Sequence, residues 1–524
     1  MNKVARLFDA PWSRNPKLGL ALILASSALT IIIGFAGPST VALTLGERNN
    51  LLPPWYLPYS LANWSQWICA PTLWIGISLG AIGLWICIRS LQNGWLPRPW
   101  RLFALGATLS TGTALVLPMT SGDVLMYASY GRLQVLGLNP YNITPAQLRR
   151  HEFDPVLRWT EQPWPDTPSV YGPIASWSQW LAAFLGGDNM HDIVFWLQMM
   201  ALIPFIIIGA IALALTRQDQ AAQARAALLT VLNPLMIWSV IAGAHNEALT
   251  LVFAITALLF IRRHPFLAGI CIGLAGTVKV SLVFYGLAML WAYRGDWRRI
   301  ILLGLGALIP LGLAYGLWAR EALLAAQRNT GYISGGSWAP PMRFGLTLIL
   351  GDGNARAIIG VLGWIGLVGV AFLLSKALPW QAVPGLAQGI RPQDDPLTVT
   401  ARTAVILTAG WLLTSPYTLS WYDLIIWVPL GILGTSKLDS LLIWRGALLS
   451  VAYVTARSVQ FSQEMEYVTF FLRDVLCSWG QILVLAALAI WCWREWADNS
   501  SWSLRSNVRN LLLRLRKSRD GVKR

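Results

Sequence analysis

Charge is scarce in this chain. Only 12% of its 524 residues are Asp, Glu, Lys or Arg, against 55% hydrophobic, and the mean hydropathy is +0.53. A soluble protein of this length exposes far more charge, so most of this surface must meet lipid rather than water. Cysteine is also rare: the five that occur lie in or beside apolar runs without metal-ligand spacing, which argues against a disulfide framework or a zinc site. The chain lacks a Gly-x-x-x-x-Gly-Lys phosphate loop and a His-Glu-x-x-His helix. Nucleotide hydrolysis on such a loop and zinc proteolysis are therefore excluded. A net charge of +16 would suit a nucleic-acid binder, but its distribution along the chain argues otherwise.

What the chain does have is apolar length. Fourteen apolar runs follow one another, from one beginning near Leu18 to one beginning near Ser478. A hydrocarbon core of ~30 Å calls for spans of ~20 residues, and the shorter runs need tilting or backbone buried inside a bundle. The 29 tryptophans fit the same setting, because indole favours the headgroup boundary. The expected fold is an all-α polytopic membrane bundle of about 12–14 transmembrane helices. With the N-terminus in the cytoplasm, alternate loops hold most of the basic residues, including Arg262-Arg263, Arg294, Arg298, Arg299 and a basic tail. That follows the positive-inside rule and places both termini in the cytoplasm of a plasma-membrane protein. Residues 1–18 form a cytoplasmic N-terminus, 19–493 the membrane domain and 494–524 a tail whose LLLRLRKSR stretch suits anchoring on anionic lipid. The first run, followed by Gly37-Pro38 and further spans, is expected to be retained rather than cleaved.

Three long segments, about 38–68, 120–190 and 320–356, fall on the extracytoplasmic side. Loops of this length usually carry function. The second opens with SGDVLMYASYGRLQVLGLNPYN. Val124–Val135 suits a short surface helix, with Asp123, Tyr127 and Tyr130 sharing one face. Ser121 or Asp123 would serve as a plain helix cap, but a cap needs neither the tyrosines nor the following Asn139-Pro140-Tyr141 turn. An aspartate at a low-dielectric boundary is a candidate general base. Further polar clusters fall at helix ends on the same side: His245-Asn246-Glu247, Lys279 between two short apolar stretches, and TSPYTLSWYDL with Tyr417, Trp421, Tyr422 and Asp423. Lysine at membrane depth is costly and needs a partner, unless it snorkels to the interface. Asp423 suits a helix N-terminus. With Arg132, Arg328 and Arg343, these groups would suit a negatively charged, lipid-linked substrate.

The order of these features resembles the GT-C glycosyltransferases. It is most similar to the polyprenol-phosphate-mannose-dependent α-1,6-mannosyltransferases of actinobacterial lipoglycan assembly. The matching segments are GDVLMYASYGRLQVLGLNPYN, SVYGPIASW, NPLMIWSVIAGAHNEAL, LAGICIGLAGTVKVSLVFY and SPYTLSWYDLIIWVPL, over roughly residues 120–430. The resemblance implies a GT-C-type bundle and inverting transfer of mannose from a polyprenyl phosphate to a growing lipid-linked mannan outside the plasma membrane. By the same resemblance, Asp123 matches the acid that deprotonates the acceptor hydroxyl. His245, Asn246 and Glu247 match the segment that shapes the pocket, together with Tyr171 of the Tyr-Gly-Pro segment, and Lys279 is a candidate for the donor phosphate. Many GT-C families carry two adjacent acids where this chain has Asp123 followed by Val124, so no metal cofactor is expected. Other donors (arabinofuranose or glucose on polyprenyl phosphate), a pyrophosphate-linked glycan polymerase or ligase, and a lipid-linked-sugar flippase stay open at this point. The flippase fits less well, because transporters favour polar sites at the bilayer midplane and repeat symmetry.

Overall fold

The computed structural model describes residues 10–36, 64–161, 164–328, 331–454 and 461–497. Most of the first long loop and the basic tail beyond residue 497 lie outside the described residues. The described chain is helical throughout. In order come α1 (Pro16–Ala36), α2 (Gln66–Gln92), α3 (Pro99–Ala114), α4 (Asp123–Val135), α5 (Pro173–Gly186), α6 (Met190–Leu215) and α7 (Gln220–Leu229). They are followed by α8 (Glu247–Phe260), α9 (Pro265–Val278), α10 (Val283–Ala292), α11 (Trp297–Leu311), α12 (Ala339–Leu350) and α13 (Asp352–Ala377). The last are α14 (Pro396–Thr414), α15 (Leu424–Ile432), α16 (Lys437–Ala452) and α17 (Gln463–Ala497).

Among the described residues, eight helices are long and apolar enough to cross a membrane, with four shorter apolar helices beside them. The short ones arise from breaks that the sequence encodes. After α7 the chain turns at Asn233-Pro234, where the Asn233 side chain accepts the Leu235 N–H and the proline occupies the first helical position. It continues as a π-helical stretch over Ile237–Ile241, fully inside the bundle. Between α9 and α10 the backbone at Lys279 is extended, so one apolar run becomes two. Broken spans of this kind are tolerated only where protein rather than lipid satisfies the freed backbone groups.

Loops segregate to two ends of the bundle. At one end Arg225 donates to both carboxylate oxygens of Asp439, each at 2.7 Å, and to Leu433 O at 2.8 Å. Nearby Arg262 grips Asp395, and Arg402 donates to Leu378 O at 2.7 Å. The opposite end of α14, about 28 Å away by helical rise, gathers residues 120–190, 331–338 and 415–423, with Ser334 bonded to Thr418 and Pro416. Of the segments that the charge pattern assigns to one side, the described parts of the second and third therefore meet at one end. The Arg225–Asp439 pair is 3% and 1% exposed, and removing one partner from such a pair strands a buried charge at a cost of about 3–5 kcal/mol. Arg225→Ala should therefore lower the thermal midpoint of detergent-solubilised protein by several degrees; an unchanged midpoint would show that the pair adds no net stability.

The helix expected over Val124–Val135 is present, but it is packed inside the protein rather than lying on the membrane surface. Most of its side chains are buried, because α4 lies against α5 and α6. The approach is close enough that a Cβ at Gly131 would sit 2.1 Å from the Gln179 carbonyl oxygen. Only glycine fits there, so Gly131 sets the depth of α4 and hence of Asp123.

Candidate active site

Asp123 is the first residue of α4, and its side chain is 21% exposed. Gly122, and neither Ser121 nor Asp123, occupies the N-cap position, and the Asp123 N–H donates to Ser121 Oγ at 3.2 Å. A carboxylate in the first turn is favoured by the helix dipole. Its oxygen Oδ2 lies 3.7 Å from His245 Nδ1. His245 follows Ala244, which has φ 54, a left-handed backbone that is costly outside glycine. That turn drives the imidazole into a fixed slot. Its Nε2 lies 3.4 Å from Thr120 Oγ1, its Nδ1 lies 3.5 Å from the Tyr127 hydroxyl, and its ring stacks on Trp421 with centroids 3.7 Å apart at 11°.

Burial, followed by the nearby Lys279 charge, holds the His245 pKa well below its ordinary value. The ring is therefore neutral near pH 7. The same shift carries a stability consequence. The unfolded chain gains a proton on His245 as pH falls through the ordinary value of 6.5, while the folded chain resists it. Stability should fall by up to about 1.4 kcal/mol per pH unit below that point. Thermal unfolding from pH 7 to 5 would show this slope in the wild type and a shallower one in His245→Gln; equal slopes would remove the assignment.

Two residues after His245, Glu247 opens α8 and forms an ion pair with Lys279. Glu247 is 1% exposed, and its second oxygen is buried without a hydrogen-bond partner. Lys279 Nζ also sits 4.3 Å from the centroid of the Tyr422 ring, a cation–π contact. The lysine that sequence places at membrane depth therefore has its partner. The turn at residues 245–247 meets Asp123 through His245 and Lys279 through Glu247, and Trp421-Tyr422 links His245 to Lys279.

Around Asp123 stand three tyrosines. Tyr171 meets Tyr127 edge-on at 5.1 Å and Tyr130 at 6.5 Å, and the Tyr130 hydroxyl donates to Thr167 O at 2.9 Å. Burial first, and the Asp123 charge in addition, push the phenols of Tyr127, Tyr130 and Tyr171 up, so they remain neutral donors. Tyr141 is pushed up to about 12 by burial and donates to Tyr171 O at 3.0 Å. The Asn139 side chain accepts the Tyr141 N–H at 2.9 Å, forming the expected turn. Asn139 and Tyr141 line a cleft of about 840 Å³ with Trp177, Trp180, Leu181 and Leu249. Leu249 also borders a small void beside Tyr127 and Asn246, whose buried amide atoms lack partners. An apolar cleft and the polar cluster therefore adjoin.

The expected cationic loop residues do not join this cluster. Arg132 donates to Asp154 at 2.8 Å and to Gly187 O at 3.2 Å, holding the loop together. Arg343 pairs with Asp352 at 2.6 Å where α12 meets α13. The Arg328 side chain lies outside the described residues. Asp423 is fully buried and ion-paired with Arg445 of α16, which also donates to Leu412 O and Thr418 Oγ1. It braces the Trp421-Tyr422 turn and is not available as a base. Arg445 is invisible to local sequence reading because its partner lies 22 residues away. The carboxyl of Glu161 packs against Gly122, where a Cβ would lie 2.7 Å from it; no motif signals that contact. Among the described residues, no group of three or more His, Cys, Asp or Glu side chains is placed to hold a metal ion.

This chain shares sequence with known proteins. Residues 25–294 match the family described as alpha-(1->6)-mannopyranosyltransferase, N-terminal domain. The chain is 25% identical over 386 residues to a probable alpha-(1->6)-mannopyranosyltransferase of Mycolicibacterium smegmatis, covering 64% of this chain and 65% of that protein. It is 26% identical over 250 residues to alpha-(1->6)-mannopyranosyltransferase A of Corynebacterium glutamicum, covering 45% and 50%. It is 32% identical over 151 residues to a Mycobacterium tuberculosis alpha-(1->6)-mannopyranosyltransferase, covering 28% and 24%. The match therefore spans less than two thirds of each relative's own length. No solved structure matches. The matched region contains Asp123, the tyrosines, the residue 245–247 turn and Lys279, and on that evidence the chain belongs to the alpha-(1->6)-mannopyranosyltransferase family.

Proposed function

We propose that this protein transfers mannose from a polyprenyl-phosphate-mannose donor to a lipid-anchored α-1,6-mannan, with inversion at the anomeric carbon, on the outer face of the plasma membrane. The observation that carries this reading is that Asp123 and Lys279 meet one short turn, Asp123 through His245 and Lys279 through Glu247. Inverting transfer needs a base on one face of the sugar and charge neutralisation of the leaving phosphate on the other. The acceptor O–H gives its proton to Asp123 while its oxygen bonds to the anomeric carbon. The bond from that carbon to the phosphate oxygen breaks, and the electron pair departs on a phosphate met by Lys279. His245, neutral and stacked on Trp421, fixes the carboxylate. The neighbouring cleft, edged by Trp177, Trp180 and Leu181, suits the isoprenoid chain. The outward placement rests on the positive-inside distribution of charge.

Membranes containing the protein, supplied with radiolabelled polyprenyl-phosphate mannose and an α-1,6-mannoside, should form a labelled, elongated mannoside, whereas polyprenyl-phosphate arabinose and glucose should not. Product from one of those donors and none from the mannose donor would change the sugar. Because Asp123 is followed by Val124 and not by a second acid, turnover should be metal-independent and persist within about twofold in EDTA; loss in EDTA restored by a divalent cation would overturn that.

A further inference from the structure

The turn between α10 and α11 carries positive charge that the protein itself does not neutralise. Three of its arginines lie over aromatic rings: Arg294 is 4.9 Å from the centroid of Trp291, Arg298 is 5.5 Å from Trp297 and Arg299 is 5.6 Å from Tyr293. Arg299 also pairs with Asp296 at 3.2 Å, whereas Arg294 and Arg298 have no ion-pair partner among the described residues. Arg294 Nη1 donates to Trp291 O at 3.0 Å, which fixes the guanidinium in place. Asp394, whose carboxyl feels the Arg294 charge, is already held by Arg391 at 2.8 Å. The Tyr293 hydroxyl donates to Ile261 O, so the turn sits beside the Arg262–Asp395 pair, at the end of the bundle away from Asp123.

The surroundings are those of a lipid boundary. Trp291 and Trp297 are 56% and 65% exposed, and exposed indoles favour the headgroup level. The two helices leave the turn for different partners: α10 packs on α14 and α11 on α9, with almost no contact between α10 and α11. Each keeps an uncovered apolar flank, with Leu287 and Leu290 on α10 and Ile301, Leu305 and Leu308 on α11. A Cβ at Gly286 or Gly304 would meet no neighbouring atom within 4 Å, so there is open room along both helices.

We propose that this turn binds one anionic phospholipid, with its phosphodiester on Arg294 and Arg298 and its acyl chains along α10 and α11. A guanidinium stacked on a ring keeps its N–H edge free, and that planar edge can meet two phosphate oxygens at once. Two such groups without a carboxylate favour a ligand of net negative charge. A zwitterionic lipid would bring its own cation among the arginines. A soluble anion would match the charge but leave the indoles and the apolar flanks uncovered. The site lies far from the reacting groups and does not depend on the reaction proposed above.

Native mass spectrometry of the detergent-solubilised full chain, titrated with phosphatidylglycerol or phosphatidylcholine, measures the apparent Kd of the first bound lipid. Phosphatidylglycerol should bind the wild type about 10-fold or more tighter than phosphatidylcholine. Arg294→Gln combined with Arg298→Gln should weaken phosphatidylglycerol binding about 10–30-fold, the effect expected of two basic groups at a membrane surface. Neither arginine holds an ion pair, so this variant should unfold close to the wild-type Tm when no lipid is added. Arg98→Gln combined with Arg101→Gln, exposed basic residues outside the turn, should leave phosphatidylglycerol affinity unchanged. Equal affinity for the two lipids, or equal losses in the two double variants, would overturn the site. Displacement of phosphatidylglycerol by an equal concentration of inorganic phosphate would overturn the lipid assignment and leave a plain anion site.

Discussion

Asp123→Asn should reduce mannosyl transfer by about 10²–10⁴-fold, the usual contribution of a positioned general base. The substitution keeps the size of the side chain, its place in the first turn of α4 and the Ser121 contact to its backbone N–H. It removes only the ability to take a proton. Acceptor affinity should therefore change little, and the loss should appear in kcat, measured with saturating donor in membranes or detergent. His245 cannot substitute as the base without losing its present environment, because its nitrogens already face Thr120, Tyr127 and Asp123 and its ring is stacked on Trp421. Asp423 is excluded by its buried pair with Arg445. If Asp123→Asn kept activity within a few-fold of wild type, the base would be sought at Glu161 or Glu247, and in the second case Lys279 would need a new role.

How far the sequence foretells this site depends on the range of each interaction. Membrane class and helical content follow from local apolar length, and both appear in the structure. The face shared by Asp123, Tyr127 and Tyr130 follows from helical spacing, and the three do stand together around Tyr171. Lys279 is identifiable because a lysine between short apolar stretches is expensive, and its partner Glu247 belongs to the His-Asn-Glu cluster that the sequence also marks. The arginines are harder. A basic residue in a loop reads the same whether it awaits a phosphate or binds a nearby acid, and Arg132 and Arg343 do the latter with Asp154 and Asp352. The Asp423–Arg445 pair, the Trp421 stack on His245 and the contact between Glu161 and Gly122 all depend on how distant helices meet. No local spacing encodes them. Even the location of α4 requires tertiary information: its composition reads as a surface helix, and the missing side chain at Gly131 is what lets it sink against α5.

Replacing Lys279 is the more demanding experiment, because the residue answers to two constraints. Lys279→Gln removes the cation that would meet the leaving phosphate, and loss of one preorganised charge or donor at a developing anion typically costs about 10²–10³-fold in rate. It also strands Glu247, 1% exposed, without its counter-charge, and an uncompensated buried carboxylate costs about 3–5 kcal/mol. The single variant should therefore be both unstable and inactive, an outcome that a purely structural lysine would produce equally well. Lys279→Gln combined with Glu247→Gln separates the two. With both charges gone, the buried pair becomes two neutral amides able to hydrogen-bond each other, so the thermal midpoint should return close to that of the wild type. Transfer should not return, since nothing now neutralises the phosphate. A double variant that recovers both stability and turnover would show that the pair only holds α8 and α9 together, and the phosphate would have to be met elsewhere. One that recovers stability alone assigns the lysine to the chemistry. Glu247 then has its own role, which is to keep a cation at membrane depth charged and in place until an anionic substrate arrives to share it.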